Sequence, residues 1–236
     1  MIKALIFDLD NTLYDYYGHH DIGYESLVRY AKEKLGMERE AFDKAYKDTM
    51  AKIEAHLGDN TAAIHDRYVR FQVLCEDYHI PLSPHALGLT RCYWDSFLEG
   101  IVPFEGVPEA LLAAKEAGYI LGLGTNMMAD YQLIKLEKLG LLSLFDFMVS
   151  SEEAGAEKPY KEFFHYCAKK AGALPQECIF VGDHLRLDVQ GADAAGLVAL
   201  WYQPDKEKAL LAAYDCLTNY AELMPFVEKK NGQGKK

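Results

Sequence analysis

The chain has 236 residues, half of them hydrophobic, enough for one large domain or for one domain carrying a substantial insertion. Its formal net charge of −11, from 25 Lys+Arg against 36 Asp+Glu, argues against a nucleic-acid polymer as partner and means that any anionic ligand needs a local cation. No apolar run approaches the roughly 18 residues of a membrane span, and the first residues lead into a strand without a basic or apolar leader, so a cytoplasmic protein with no membrane partner is expected.

The run Ala4-Leu5-Ile6-Phe7 ends in Asp8-Leu9-Asp10-Asn11-Thr12. Four apolar residues bounded this way suit a strand buried on both faces of a parallel sheet. Period-two geometry at its end would send the Asp8 and Asp10 carboxylates the same way. Two crowded acids cost free energy unless a cation or a function compensates, although an Asp-rich turn explains the pattern equally well when taken alone.

From about Asp21 to Leu98 the pattern is helical. Tyr24, Leu27, Val28, Ala31 and Leu35 share a face, and Gly36 is placed to stop that helix. Phe42, Ala45, Tyr46, Thr49, Ile53 and Leu57 form a second stripe, ended at Gly58. Thr61 can cap a third helix through Ile64, Phe71 and Leu74, and Pro81 and Pro84 precede a fourth with Leu87, Tyr93, Trp94 and Phe97. Four amphipathic helices with short breaks predict a small bundle. His19 and His20 read as an exposed pair near a helix start.

After the Gly/Pro-rich return at 100–108, helices alternate with the apolar runs Tyr119–Gly124, Phe147–Ser150, Cys178–Val181 and Leu197–Trp201. Such alternation predicts a parallel sheet with right-handed crossovers. The layout is an α/β core from 1–17 and 101–236 with a helical insertion at 18–100. The five cysteines are scattered and never form CxxC, which favours buried thiols over disulfides or zinc, and the basic tail Lys229–Lys236 reads as a frayed end.

Ligands of open parallel sheets bind outside the carboxyl ends of the strands. There the first run offers Asp8 and Asp10, and the second Thr125 and Asn126. Lys158 follows the third, in the loop opening the next helix. Asp183 follows the fourth, with Asp188 five positions later; the fifth run offers no comparable acid or base. These suit phosphoryl transfer: a carboxylate nucleophile, a second carboxyl to move protons, a lysine, neutral donors, and oxygen ligands for Mg²⁺.

In this order the clusters resemble the haloacid dehalogenase superfamily of hydrolases. Asp8-Leu9-Asp10-Asn11-Thr12 matches its DxDxT motif, Thr125-Asn126 the second motif and Lys158-Pro159 the third. Gly182-Asp183 with Asp188 matches GDxxxxD, and Gly191–Gly196 resembles the GAxxAG that follows. The resemblance implies a Rossmann-like core with strand order 5-4-1-2-3 and a C1-type helical cap that sets specificity. It implies Asp8 as nucleophile, Asp10 as general acid/base, Lys158 as the steadying cation, and Thr125 and Asn126 as phosphoryl-binding groups. Mg²⁺ would be held by Asp8, Asp183 and the carbonyl of Asp10, with Asp188 orienting Lys158 or a metal-bound water. His184 after Asp183, where a small hydroxyl residue is usual, and Met127 after Asn126, where Gly is common, depart from the pattern. Its substrate would be a small phosphorylated metabolite whose identity, like the oligomeric state, is not written in these motifs. A phosphomutase or phosphotransferase uses the same residues, a non-catalytic regulatory protein would have lost some of them, and dehalogenases lack the second acid of the first motif.

Overall fold

The computed structural model describes residues 1–233. The chain divides into two compact units, one from Tyr16 to Ile101 and the other from Met1–Asp15 together with the chain from Val102 onward.

In the helical unit, α1 (Tyr16–Tyr30) continues as a π turn to Leu35 and stops at Gly36, whose φ of 66° is the left-handed turn read from its sequence. α2 (Arg39–Leu57), α3 (Arg67–Asp77) and α4 (Leu82–Leu98) follow. Thr61 caps a 3₁₀ turn at Ala62–His65, not the helix expected from it. Asp66 caps α3, accepting from the backbone N–H groups of Tyr68 and Val69. A capping side chain reaches only the next two or three amides, so the intervening turn demands a second cap. Leu87, expected inside, is exposed, and Leu89 is buried with Thr90, Tyr93, Trp94 and Phe97, because at roughly 100° per residue Leu87 falls to the side of the face that these residues share.

The histidines read as exposed are half-buried within α1. His19 Nδ1 lies 2.8 Å from the Phe97 carbonyl, and the His20 ring stacks on Tyr16. Arg67, buried over the rings of Tyr93 and Trp94, donates to the Tyr93 hydroxyl at 2.6 Å, and that hydroxyl lies 2.8 Å from His20 Nδ1. The phenol therefore accepts from the guanidinium and donates to an unprotonated ring.

In the α/β unit, β1 (Ala4–Phe7) lies at the centre of a parallel sheet, with all four side chains fully buried. Leu5, Ile6 and Phe7 each contribute about 1.5–3 kcal/mol by leaving water, and the Ala4 methyl less. α5 (Val107–Glu116), β2 (Ile120–Thr125), α6 (Ala129–Lys138), β3 (Phe147–Ser150), α7 (Ser151–Ala154), α8 (Lys161–Lys170), β4 (Cys178–Gly182), α9 (Gly191–Ala194) and β5 (Val198–Tyr202) alternate as expected. α10 (Lys206–Leu210), β6 (Cys216–Leu217) and α11 (Leu223–Gln233) complete the described chain. Among the described residues the sheet has six strands in the order β3-β2-β1-β4-β5-β6, the expected 5-4-1-2-3 extended by one edge strand. Phe163, Phe164 and Cys167 of α8 cluster with Ala4 and Ile6 of β1 and Cys178 and Phe180 of β4. All five cysteines are free, with Cys75, Cys167 and Cys178 buried.

The expected frayed tail is helical as far as it is described. Val227 is buried, Asn231 accepts from the Ile2 N–H at 2.7 Å, and Lys230 pairs with Asp215 at 2.8 Å. The last three residues of that expectation lie outside the described residues.

Burial, and secondarily the Arg67 charge, pushes the His20 imidazole down to about 4. An unfolded chain takes up this proton near the ordinary value of about 6.5, while the folded chain resists until about 4. The stability contributed by neutral His20 is therefore complete above about pH 6.5 and falls between there and pH 4. Thermal unfolding followed from pH 7 to pH 5 should show a decline that is shallower in His20→Gln.

Candidate active site

The site grows from the ends of β1, β2 and β4. Beyond Phe7, Asp8 continues the ladder by donating its N–H to the Val181 carbonyl at 2.8 Å. The chain then folds back: the Leu13 N–H reaches the Leu9 carbonyl at 2.9 Å, with Asn11 at the turn in the left-handed region. Asn is among the few side chains that adopt this conformation at low cost. The turn returns Thr12 to the strand end. Its hydroxyl donates to Asp8 Oδ2 at 3.1 Å and accepts from the Asp183 N–H at 3.1 Å, tying the first and fourth clusters together.

Lys158 enters from the loop before α8. Its ammonium, almost wholly buried, lies 2.5 Å from Asp8 Oδ1 and 2.8 Å from Asp188 Oδ1. Asp188 Oδ2 accepts from the His184 N–H at 2.9 Å. A β-carbon on Gly182 would lie 2.4 Å from the Asp188 side chain, so the residue before Asp183 must be bare. Gly124 supplies its carbonyl to Lys158 at 3.3 Å.

Asn126 holds Lys158 by the main chain. Its carboxamide oxygen accepts from the Lys158 N–H at 2.8 Å, and its amide donates to the Lys158 carbonyl at 3.3 Å. Thr125, buried at the end of β2, accepts from Gln132 Nε2 at 2.6 Å and donates to the Asn126 carbonyl at 3.2 Å. The structure thus brings Asp8, Lys158, Asp183 and Asp188 into direct contact or close approach, and Thr125 and Asn126 stand beside Lys158. The Asp10 carboxylate is held separately, by Lys135 and by the Tyr14 hydroxyl.

Both departures from the motif pattern have local explanations. His184 Nδ1 accepts from the Leu187 N–H at 3.2 Å, capping the turn at Leu185–Gln190 as a serine or threonine hydroxyl would. Met127 has φ 121°, a region glycine adopts freely and a larger side chain enters only at a cost of about 1–3 kcal/mol. Its N–H donates to Ser151 Oγ at 2.9 Å, and its side chain is buried, which holds the strained conformation in place.

Sequence reasoning missed Gln132, Lys135, Trp201 and Tyr220. The Trp201 indole donates to the Asp183 carbonyl at 2.7 Å from β5, the strand whose end seemed empty. The buried Tyr220 hydroxyl donates to the Thr12 carbonyl at 2.5 Å. Neither has a motif, because each acts on a backbone carbonyl that any residue would supply. Gln132 and Lys135, two polar residues three apart beside Leu136, carried no signal to set them apart from an ordinary solvated helix face.

Ligand oxygens of Asp8, Asp183 and Asp188 lie within 4.8 Å of one another. Burial raises the Asp8 carboxyl strongly, Lys158 opposes that rise, and Asp188 and Asp10 add to it. Burial raises Asp183 likewise, with Asp8 and Asp188 reinforcing it. One lysine against three acids leaves the pocket short of positive charge. At about 4 Å, each like-charged pair near a protein surface costs about 4 kcal/mol. An all-oxygen donor set with this charge deficit fits a hard divalent cation.

A haloacid dehalogenase-like hydrolase model matches residues 2–196. The ribulose-1,5-bisphosphate 5-phosphatase of Halopiger xanaduensis is 34% identical over 88% of this chain and 87% of its own. The glyceraldehyde 3-phosphate phosphatase of Methanopyrus kandleri is 30% identical over 85% of this chain and 83% of its own. Among solved structures, the 2-haloacid dehalogenase from Pseudomonas syringae pv. Tomato superposes with a TM-score of 0.78 at 27% identity, covering 97% of this chain and 99% of that one.

The charge deficit has a measurable consequence. Without metal, Asp183→Asn should melt at a higher temperature than the parent, because one of three crowded acids is gone. Saturating Mg²⁺ should raise the parent's midpoint by about 5 °C and leave that of the variant unmoved, as read by scanning fluorimetry.

Proposed function

Since the chain belongs to the haloacid dehalogenase-like hydrolases, we propose that it is a Mg²⁺-dependent phosphatase acting on a small phosphomonoester through an aspartyl-phosphate on Asp8. The observation that carries this reading is the contact of Lys158 with both Asp8 and Asp188 beside Asp183. It gathers a candidate nucleophile, a phosphate-compatible cation and an acidic cradle at one edge of the sheet. Named phosphatase relatives at 30–34% identity support the same class of chemistry.

Asp8 is proposed as the attacking group, with Lys158 fixing one of its oxygens and Thr12 the other, so that little reorganisation is needed. Lys158 also faces the charge that develops on the transferring oxygens. The Thr125 hydroxyl, whose proton rests on the Asn126 carbonyl here, would turn that proton to a phosphoryl oxygen, and Asn126 acts by holding the Lys158 main chain as well as by lining the site. Asp188 orients Lys158. A Mg²⁺ ion held by Asp8, Asp183 and the Asp10 carbonyl would offset the pocket's excess negative charge and that of the incoming phosphate. Asp10 gives a proton to the departing oxygen and recovers one from the water that releases phosphate.

Dehalogenation would use the same nucleophile, yet halide leaves as a stable anion and needs no proton. A second carboxyl held by its own lysine therefore favours an oxygen leaving group over a halide. The relatives named for ribulose 1,5-bisphosphate and glyceraldehyde 3-phosphate make short-chain sugar phosphates the first class to test.

p-Nitrophenyl phosphate should be turned over with Mg²⁺, not with EDTA, and at least about 10³-fold more slowly by Asp8→Asn. Metal-independent turnover or an active Asp8→Asn would overturn the mechanism. A panel of sugar phosphates, nucleotides and phosphorylated acids then ranks substrates by kcat/KM.

A further inference from the structure

Lys135 lies on α6, and no part of its side chain reaches solvent. Its ammonium sits 2.8 Å from Oδ1 of Asp10 and 3.0 Å from Oδ2. The Tyr14 hydroxyl also donates to Oδ1. Oδ1 therefore carries two donors, while Oδ2 carries the longer contact with one. With two donors on it, Oδ1 has no lone pair left for a proton, whereas Oδ2 meets the ammonium alone and keeps a lone pair that can take one up.

The same face of α6 carries a second fully buried polar side chain three positions earlier, Gln132, which donates to Thr125 Oγ1. A helix needing only to cover the sheet would bury apolar groups there, since a buried ion pair can often be replaced by hydrophobic residues without loss of stability. Both buried polar groups end on residues at the strand ends.

We propose that Lys135 is a positioning residue for proton transfer: with Tyr14 it locks Oδ1 of Asp10 and leaves Oδ2 as the oxygen that exchanges the proton. This rests on the reading of Asp8 as nucleophile. As Asp8 attacks phosphorus, the bond from phosphorus to the leaving oxygen breaks. Its electron pair goes to that oxygen, which takes the proton from Asp10 Oδ2. Water then attacks phosphorus, returns a proton to Oδ2 and displaces the Asp8 carboxylate. One water is consumed, and Asp10 ends as it began.

The test is the dependence of kcat/KM on the leaving group, because that ratio reports steps through formation of the aspartyl-phosphate. p-Nitrophenolate departs well unprotonated, and the alkoxide of glycerol phosphate does not. Lys135→Met should lose about 100-fold on glycerol phosphate and less than about 5-fold on p-nitrophenyl phosphate. Tyr14→Phe, a milder change, should show the same selectivity at about a tenth of the size. Equal losses on both substrates in a folded Lys135→Met would mean a merely structural pair and overturn the proposal. If Lys135→Met does not fold, an unselective Tyr14→Phe overturns it in the same way. The Asp8→Asn measurement on p-nitrophenyl phosphate stands apart, so failure of the nucleophile assignment is read separately.

Discussion

The buried ammonium of Lys158, shared between Asp8 and Asp188, is the interaction on which the rest of the site depends. Taking an ammonium out of water costs several kcal/mol, which is repaid only when its partners are close and its remaining donors are met. Asp8, Asp188 and the Gly124 carbonyl meet them; burial by itself would push the lysine toward its neutral form, but the charges of Asp188 and Asp8 outweigh it and keep the ammonium protonated. Removing either acid would leave a buried charge short of a partner. Removing the lysine would leave acids that already repel one another. The surrounding arrangement makes that triad possible: the bare Gly182 that admits Asp188, and the Asn126 carboxamide that fixes both backbone groups of Lys158.

Topology supplies the convergence. In a parallel sheet every strand points its carboxyl end to the same edge, so residues far apart in sequence meet without any special loop. β1 lies between β2 and β4, which is why Asp8 has Thr125 and Asn126 on one side and Asp183 on the other. Thr12 converts adjacency into register, since one hydroxyl links the Asp8 carboxylate to the Asp183 amide. Trp201 and Tyr220 add further ties to the same two loops from β5 and from the turn before α11.

The residues bearing charge or a hydroxyl at strand ends were legible because chemistry and position coincide there. The central strand order was legible by family resemblance, and β6 was not, because two residues following a short helix carry no periodic signal. The Thr61 cap was misplaced for a related reason: Ser, Thr and Asp signal a cap without saying whether a 3₁₀ turn or a helix follows, and Asp66 competes five residues later. Lys135 was hidden in Leu133–Lys138, where alternating polar and apolar residues look like an ordinary surface helix. Only the phase of α6 against the sheet reveals that this lysine faces inward while Leu133 and Ile134 face out. The strained backbone at Met127 was visible in sequence only as a residue standing where glycine is usual.

Two acids separated by one residue have come to rest on two different lysines. Lys158 reaches Asp8 from the loop before α8, and Lys135 reaches Asp10 from α6. Had both acids shared one cation, the charge state of each would be tied to the other, and under the proposed roles a nucleophile that stays ionised could not sit beside a group that cycles a proton. Separate counter-charges loosen that coupling. Asp8 keeps Lys158 and Thr12, which favour its anion against burial, and the space for a divalent cation, while Asp10 meets a phenol and an ammonium that place two donors on one oxygen and a single donor on the other. The difference between these adjacent carboxylates thus arises from the partners each meets after the chain turns at Asn11, not from the amino acids themselves.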